Sequence, residues 1–214
     1  MSFDRLAPHY SWMEALLAGR RLQRSRVAWL DALAGAERIL IVGVGHGHFL
    51  RACARRFPEA RITSVDASAG MLREAERRAR RAGLNMRRLE FVHATLPEWR
   101  PPAGRFDAIV THFFLDCFPP DTLAAVIDVL AHSARPGARW LLADFALPER
   151  GWRRRRARMV HRLMYGFFRK VTKLAARCVT PPDSLLSGYG FELAGRRTTE
   201  WGLLRSDIWR RPAP

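Results

Sequence analysis

Ile39-Leu40-Ile41-Val42-Gly43-Val44-Gly45-His46-Gly47 is an apolar run that breaks into three glycines at alternate positions. Four bulky apolar residues in a row suit a strand buried on both faces. The glycines then let the backbone turn sharply and leave room for a ligand against the main chain. An amphipathic run over residues 49–57 follows and predicts a helix.

Strand, glycine loop and helix in this order resemble the first unit of a Rossmann-type domain. The glycine spacing narrows the ligand. A dinucleotide loop reads G-x-G-x-x-G, whereas here Gly47 follows Gly45 by two positions and His48 stands at the third dinucleotide place. That departure favours S-adenosylmethionine. Residues 61–66, Arg-Ile-Thr-Ser-Val-Asp, read as a second strand that ends in a carboxylate, placed to accept hydrogen bonds from both ribose hydroxyls.

The remaining pattern alternates. Ser68 caps a helix that passes Met71, Leu72 and Ala75 and stops at Gly83. Strands follow at 89–93, 106–111 and 140–145, with a helix over 121–132 and a turn at Pro136-Gly137. Residues 191–199 and 203–210 leave no room for a crossover helix around Trp201-Gly202, so they form an antiparallel hairpin. The predicted fold is an α/β doubly wound, mostly parallel seven-stranded sheet closed by that hairpin. Helical periodicity over 3–17 and 20–34 places cap helices before it.

The 214 residues suit one domain: cap helices 1–36, a cofactor-binding core 37–147, a basic helical insert 148–190 and the hairpin 191–214. Three cysteines without C-x-x-C spacing give neither a disulfide framework nor a zinc site, and a reducing cytoplasm is expected. The opening residues carry no apolar signal core, and no run of ~20 apolar residues offers a membrane span.

The net charge is +17 and almost wholly arginine, since only Lys170 and Lys173 are lysines. Residues 151–180 hold ten Lys and Arg and no acid. On a helical wheel Met159, Leu163, Phe167 and Leu174 share one stripe, expected to pack on the domain, and Arg154, Arg158, Arg162, Arg169 and Lys173 gather opposite. Most of this charge reads as a solvated face, with contact to an anionic membrane as the functional alternative. Nucleic acid ranks lower, because no recognised binding module accompanies the patch.

Over residues 38–147 the chain resembles the class I S-adenosylmethionine-dependent methyltransferases. The opening Phe3-Asp4-Arg5-Leu6-Ala7-Pro8-His9-Tyr10, with Met13 and Leu16-Leu17, resembles the N-terminal helix of the ubiquinone and menaquinone C-methyltransferase group. The resemblance implies that Gly43, Gly45 and Gly47 pass under the methionine part of the cofactor and that Asp66 holds the ribose. Ala67 and Met71 then flank the adenine, Ala94, Thr95 and Thr111 complete the cofactor site, and Tyr10 closes over it. Two family acids are replaced, one by Ile41 and one in the pair Ala94-Thr95.

The segment Thr111-His112-Phe113-Phe114-Leu115-Asp116-Cys117-Phe118 follows the fourth strand, where open α/β sheets bind ligands. His112 and Asp116 are the candidates to orient a nucleophile or take its proton, and Asp144 at the end of the fifth strand is a third. The structural alternative has Asp116 capping the helix near 120 and His112 packed on the sheet. The expected activity is methyl transfer to a small, apolar or aromatic, even lipophilic acceptor. The rivals are an NAD-dependent oxidoreductase and a noncatalytic protein binding RNA or membrane through its basic helix.

Overall fold

The computed structural model describes residues 19–172 and 179–213. The predicted helix over 3–17, with Tyr10, and the end of the basic run lie outside the described residues. Along the chain come α1 (Gly19–Val27), β1 (Arg38–Val42), α2 (His48–Arg56), β2 (Arg61–Asp66), α3 (Ala69–Arg81), β3 (Leu89–His93) and β4 (Phe106–His112). They are followed by α4 (Pro120–Ser133), β5 (Ala134–Phe145), α5 (Gly151–Thr172), α6 (Asp183–Gly188), β6 (Glu192–Thr199) and β7 (Leu204–Arg210).

The seven strands form one sheet in the order β3-β2-β1-β4-β5-β7-β6. The first five are parallel, and β7 pairs antiparallel with both β5 and β6. Strand β1 shows why its sequence is apolar throughout. Leu40 and Val42 join a core cluster with Leu123 and Ile127 of α4 and Leu186 of α6. Ile39 and Ile41 join the opposite cluster with Leu50 of α2 and Leu72 of α3. Alternate side chains thus fill both layers, each fully buried one contributing roughly 1.5–3 kcal/mol.

After β3 the chain returns to the other side of β1, so β1 and β4 diverge at a topological switch point. The loops leaving their carboxyl ends open a crevice there. Local caps fix the loops: Ser68 Oγ accepts from the Met71 N–H at 3.2 Å, and Pro120 starts α4 with no side-chain cap.

Three sequence expectations change. The helix expected over 20–34 ends at Val27 and resumes as a 3₁₀ turn over Leu30–Leu33. Strand β5 starts at Ala134, six residues early, because the ladder absorbs Pro136-Gly137 as a bulge: the register jumps from Phe106↔Ala134 to Ala108↔Arg139. The stripe expected to pack α5 on the domain faces outward. Ala157 and His161 are the buried positions, and Met159 and Leu163 are exposed.

Candidate active site

The glycine loop is held from below by hydrogen bonds from the Gly43 and Gly47 N–H groups to the Val65 and Val44 carbonyls, 2.9 and 3.0 Å. Its glycines do different work. At Gly43 an added Cβ would stand 2.8 Å from Phe114 Cδ2. Gly45, at φ +51, would meet nothing within 4 Å and borders the crevice. Gly47 lies away from the lining; its missing Cβ lets the start of α2 sit against Ala75 of α3, 3.0 Å from that position.

Asp66 ends β2 directly beneath this loop. Its Oδ2 accepts from the Gly45 N–H at 3.0 Å and its Oδ1 from the Ser68 N–H at 2.9 Å. Both oxygens are thereby oriented towards the loop, and each carboxylate oxygen can accept more than one hydrogen bond. Ala67, Met71, Ala94 and Thr95 line the same side. Thr111 does not: it is fully buried, and its Oγ1 accepts from the Trp140 indole at 2.9 Å. Its hydroxyl belongs to the core, which corrects its place among the cofactor contacts.

One cavity of ≈ 540 Å³ takes in both the glycine loop and a chamber beyond it. Arg26, Phe49, His112, Phe113, Asp116, Phe145 and Met164 border it. The His112 ring meets the Phe49 ring edge-on at 4.6 Å between centroids. Burial, reinforced by the Arg26 charge, holds the His112 imidazole well below the ordinary histidine pKa, so it is neutral. His112 thus packs against Phe49 of α2 and also borders the cavity.

Phe113 adopts φ +54, a left-handed conformation that costs a bulky residue free energy. Its amide donates to the Ala143 carbonyl at 2.6 Å, which anchors the kink. The kink presents the Phe113 ring to the Arg26 guanidinium, 5.1 Å from its centroid, and to Phe145 at 5.4 Å. The chamber thus has two aromatic walls with a cation over one of them.

Asp116 and Asp144 meet below. Asp116 is buried within the 3₁₀ turn Leu115–Cys117 and does not cap α4, whose N-cap is Pro119. Asp144 is only 2% exposed and stands outside the lining, where it shares a hydrogen bond with Asp116. Burial and then the Asp116 charge push the Asp144 carboxyl well up, more than the Arg205 guanidinium pulls it down. The neighbouring Cys117 thiol is raised chiefly by burial, and its Sγ lies 3.7 Å from Asp116 Oδ1. It stays in the thiol form at the edge of the cavity.

Arg26, Phe49, Phe145 and Met164 escaped the sequence reading. Phe145 had a signal, as the residue after Asp144 at the end of a parallel strand. Arg26 and Met164 sit on helices whose approach to the crevice only the packing reveals.

Residues 39–137 match the family described as a methyltransferase domain. The chain is 32% identical over 153 residues to a demethylmenaquinone methyltransferase of Thermus thermophilus, over 70% of this chain and 66% of that one. It is 42% identical over 68 residues to a trans-aconitate 2-methyltransferase of Rhodopseudomonas palustris, over 32% of this chain and 24% of that one. The chain thus spans from about a quarter to just under two thirds of these relatives' lengths. The fold matches that of Burkholderia thailandensis 1,6-didemethyltoxoflavin-N1-methyltransferase, solved with 1,6-didemethyltoxoflavin and S-adenosylhomocysteine. The TM-score is 0.68 at 19% identity, over 98% of this chain and 86% of that one. These matches set aside the NAD-dependent reading, and with its sheet order, glycine loop and Asp66 the chain belongs to the class I S-adenosylmethionine-dependent methyltransferases.

Proposed function

We propose that this protein transfers the methyl group of S-adenosylmethionine to a small, apolar or aromatic acceptor, at carbon or oxygen. The observation that carries this reading is the continuity of one cavity from the Gly45 and Asp66 cradle to the chamber of His112, Phe113 and Phe145. The cradle fits the cofactor: Gly45 leaves open space where a Cβ would stand, and Asp66 presents a carboxylate beside it. Bound there, the sulfonium supplies an electrophilic methyl group. Gly43 and Gly45 would lie under its methionine part, Asp66 would take the ribose hydroxyls, and Ala67, Met71, Ala94 and Thr95 would border the adenine.

The protein's own contribution is then alignment and dryness. The rings of Phe113 and Phe145 would hold a planar acceptor, and Arg26 would favour its deprotonated form. Neutral His112 would accept the proton from the attacking oxygen or carbon acid. Asp116, with Asp144 behind it, would orient the acceptor as a hydrogen-bonding group. The reading puts the protein in the cytoplasm, as an enzyme of lipophilic acceptors that meets the membrane at its surface. Among the described residues no helix is long and apolar enough to cross a membrane.

Methyl incorporation from labelled S-adenosylmethionine into quinone and lipid extracts, with aconitate-like acids in parallel, identifies the acceptor. His112→Phe should then lower turnover by about 10²- to 10⁴-fold, the usual contribution of a general base, with little change in S-adenosylhomocysteine affinity. Because its pKa is depressed, His112 is already neutral through the ordinary histidine range, and wild-type turnover should show no inflection there. Full turnover in the variant would remove His112 from the chemistry.

A further inference from the structure

Six large apolar side chains are exposed among the described residues, and four lie on or beside α5: Trp152 (59%), Met159 (60%), Leu163 (69%) and Trp201 (55%). Trp152, Met159 and Leu163 are spaced seven and four residues apart, so they form one stripe along α5. The helix uses its other side for the domain, through buried Ala157 and His161 and through Met164 at the cavity. The His161 ring lies edge-on to Phe145 at 5.9 Å. Trp201, in the turn between β6 and β7, extends the stripe, with its ring 6.4 Å from that of Trp152.

Arginines border this stripe. Arg156 lies over the Trp201 ring at 4.6 Å and Arg153 over the Trp152 ring at 5.8 Å. Arg155, Arg158 and Arg162 are exposed and make no hydrogen bond or ion pair among the described residues. Residues 151–180 contain no acid to neutralise them.

We infer that the outer face of α5 docks the protein on an anionic lipid surface and that the acceptor reaches the cavity from that surface, beside Met164. The second half rests on the function proposed above; the docking itself does not. An apolar stripe between arginines is the pattern of a helix lying in a membrane interface, with the apolar side chains sunk below the headgroups and the guanidinium groups at the phosphates. Tryptophan is suited to that boundary. A second copy of the chain fits poorly, because a two-fold contact through this face would set Arg155, Arg158 and Arg162 against the same residues. Leu163 and Met164 are adjacent in sequence, one on the exposed stripe and the other at the cavity, so docking brings the chamber to the bilayer.

The test is flotation of the full chain with phosphatidylglycerol-containing vesicles and with neutral phosphatidylcholine vesicles, at low and high salt. Wild type should float with the anionic vesicles alone, salt should release it, and its tryptophan emission should shift to shorter wavelength on binding. Arg155→Gln/Arg158→Gln/Arg162→Gln should weaken partitioning roughly 100-fold, from about fivefold per arginine. Met159→Gln/Leu163→Gln should weaken it by more than about tenfold while keeping the charge. Calorimetry with S-adenosylhomocysteine separates the two readings: a wild type that binds it but does not float overturns the docking and leaves the cofactor site standing, whereas variants that lose flotation while keeping that binding support the docking. Equal flotation with neutral vesicles, or no loss in either variant, also overturns it. So does a dimer that Met159→Gln/Leu163→Gln dissolves in a protein that ignores vesicles, which gives the face to a second copy.

Discussion

Asp66→Ala is the substitution on which the cofactor site depends most directly. In the free protein the carboxylate holds two backbone donors, Gly45 at 3.0 Å and Ser68 at 2.9 Å. With cofactor bound it would add two hydrogen bonds to ribose hydroxyls. A hydrogen bond to a charged group contributes about 1.5–3 kcal/mol, so removing the two ligand bonds should cost about 3–6 kcal/mol of binding. That is a loss of roughly 10²- to 10⁴-fold in affinity. The backbone donors lie in partly exposed surroundings where water can replace the carboxylate, and their loss should cost the fold only ~1–2 kcal/mol. Binding should therefore fall much further than stability. Titration calorimetry with S-adenosylhomocysteine reads the first quantity and urea unfolding the second. Asp66→Asn, which keeps the shape and one acceptor oxygen, should fall between wild type and Ala in affinity. If the alanine variant binds S-adenosylhomocysteine as tightly as wild type, Asp66 is not the ribose ligand and the assignment of the crevice fails with it.

Two further outcomes follow from the same geometry. Gly45→Ala should fold with a strain of about 1 kcal/mol, because its φ of +51 is tolerable and nothing lies within 4 Å, yet lose most cofactor affinity as the new methyl enters the crevice. Gly43→Ala should instead lower the thermal midpoint itself, since its methyl meets Phe114; equal S-adenosylhomocysteine binding in Gly45→Ala and wild type would show that this loop does not cradle the ligand. Asp144→Asn should be more stable than wild type at mildly alkaline pH. The folded carboxyl has a raised pKa while the unfolded one ionises near its ordinary value of 3.8, so the wild type loses stability as pH rises from there towards the folded pKa, and asparagine does not. Urea unfolding of both proteins at about pH 5 and about pH 8 checks the sign, and parallel curves would mean Asp144 is not held protonated.

The two halves of the crevice differ in how plainly the sequence announces them, and the reason is physical. The cofactor half is built from backbone. A strand buried on both faces must be apolar at every position, and the turns after it need positive φ at Gly43, Gly45 and Gly47, so both requirements appear as residue types. Asp66 then falls at a strand end counted from that start, and the sheet order follows from the alternation of elements. Spacing alone did not separate the roles of the glycines. Gly47 serves the packing of α2 on α3, and only the position of Ala75 in space reveals it. The acceptor half is built from side chains contributed by α1, β4, β5 and α5, which are distant in sequence. His112 and Asp116 were within reach because β4 carries them to the carboxyl edge of the sheet. Arg26 and Met164 were not, since the periodicity of a helix gives the width of its buried stripe but not the partner that covers it. The same ambiguity reversed α5. Its apolar residues suggested an inward face, but Ala157 and His161 take that face and leave Met159 and Leu163 outside. A stripe of apolar residues on a helix therefore states only that something apolar must meet it. For α1 that partner is the protein's own sheet, whereas for α5 the arginines on either side of the stripe point to a lipid surface.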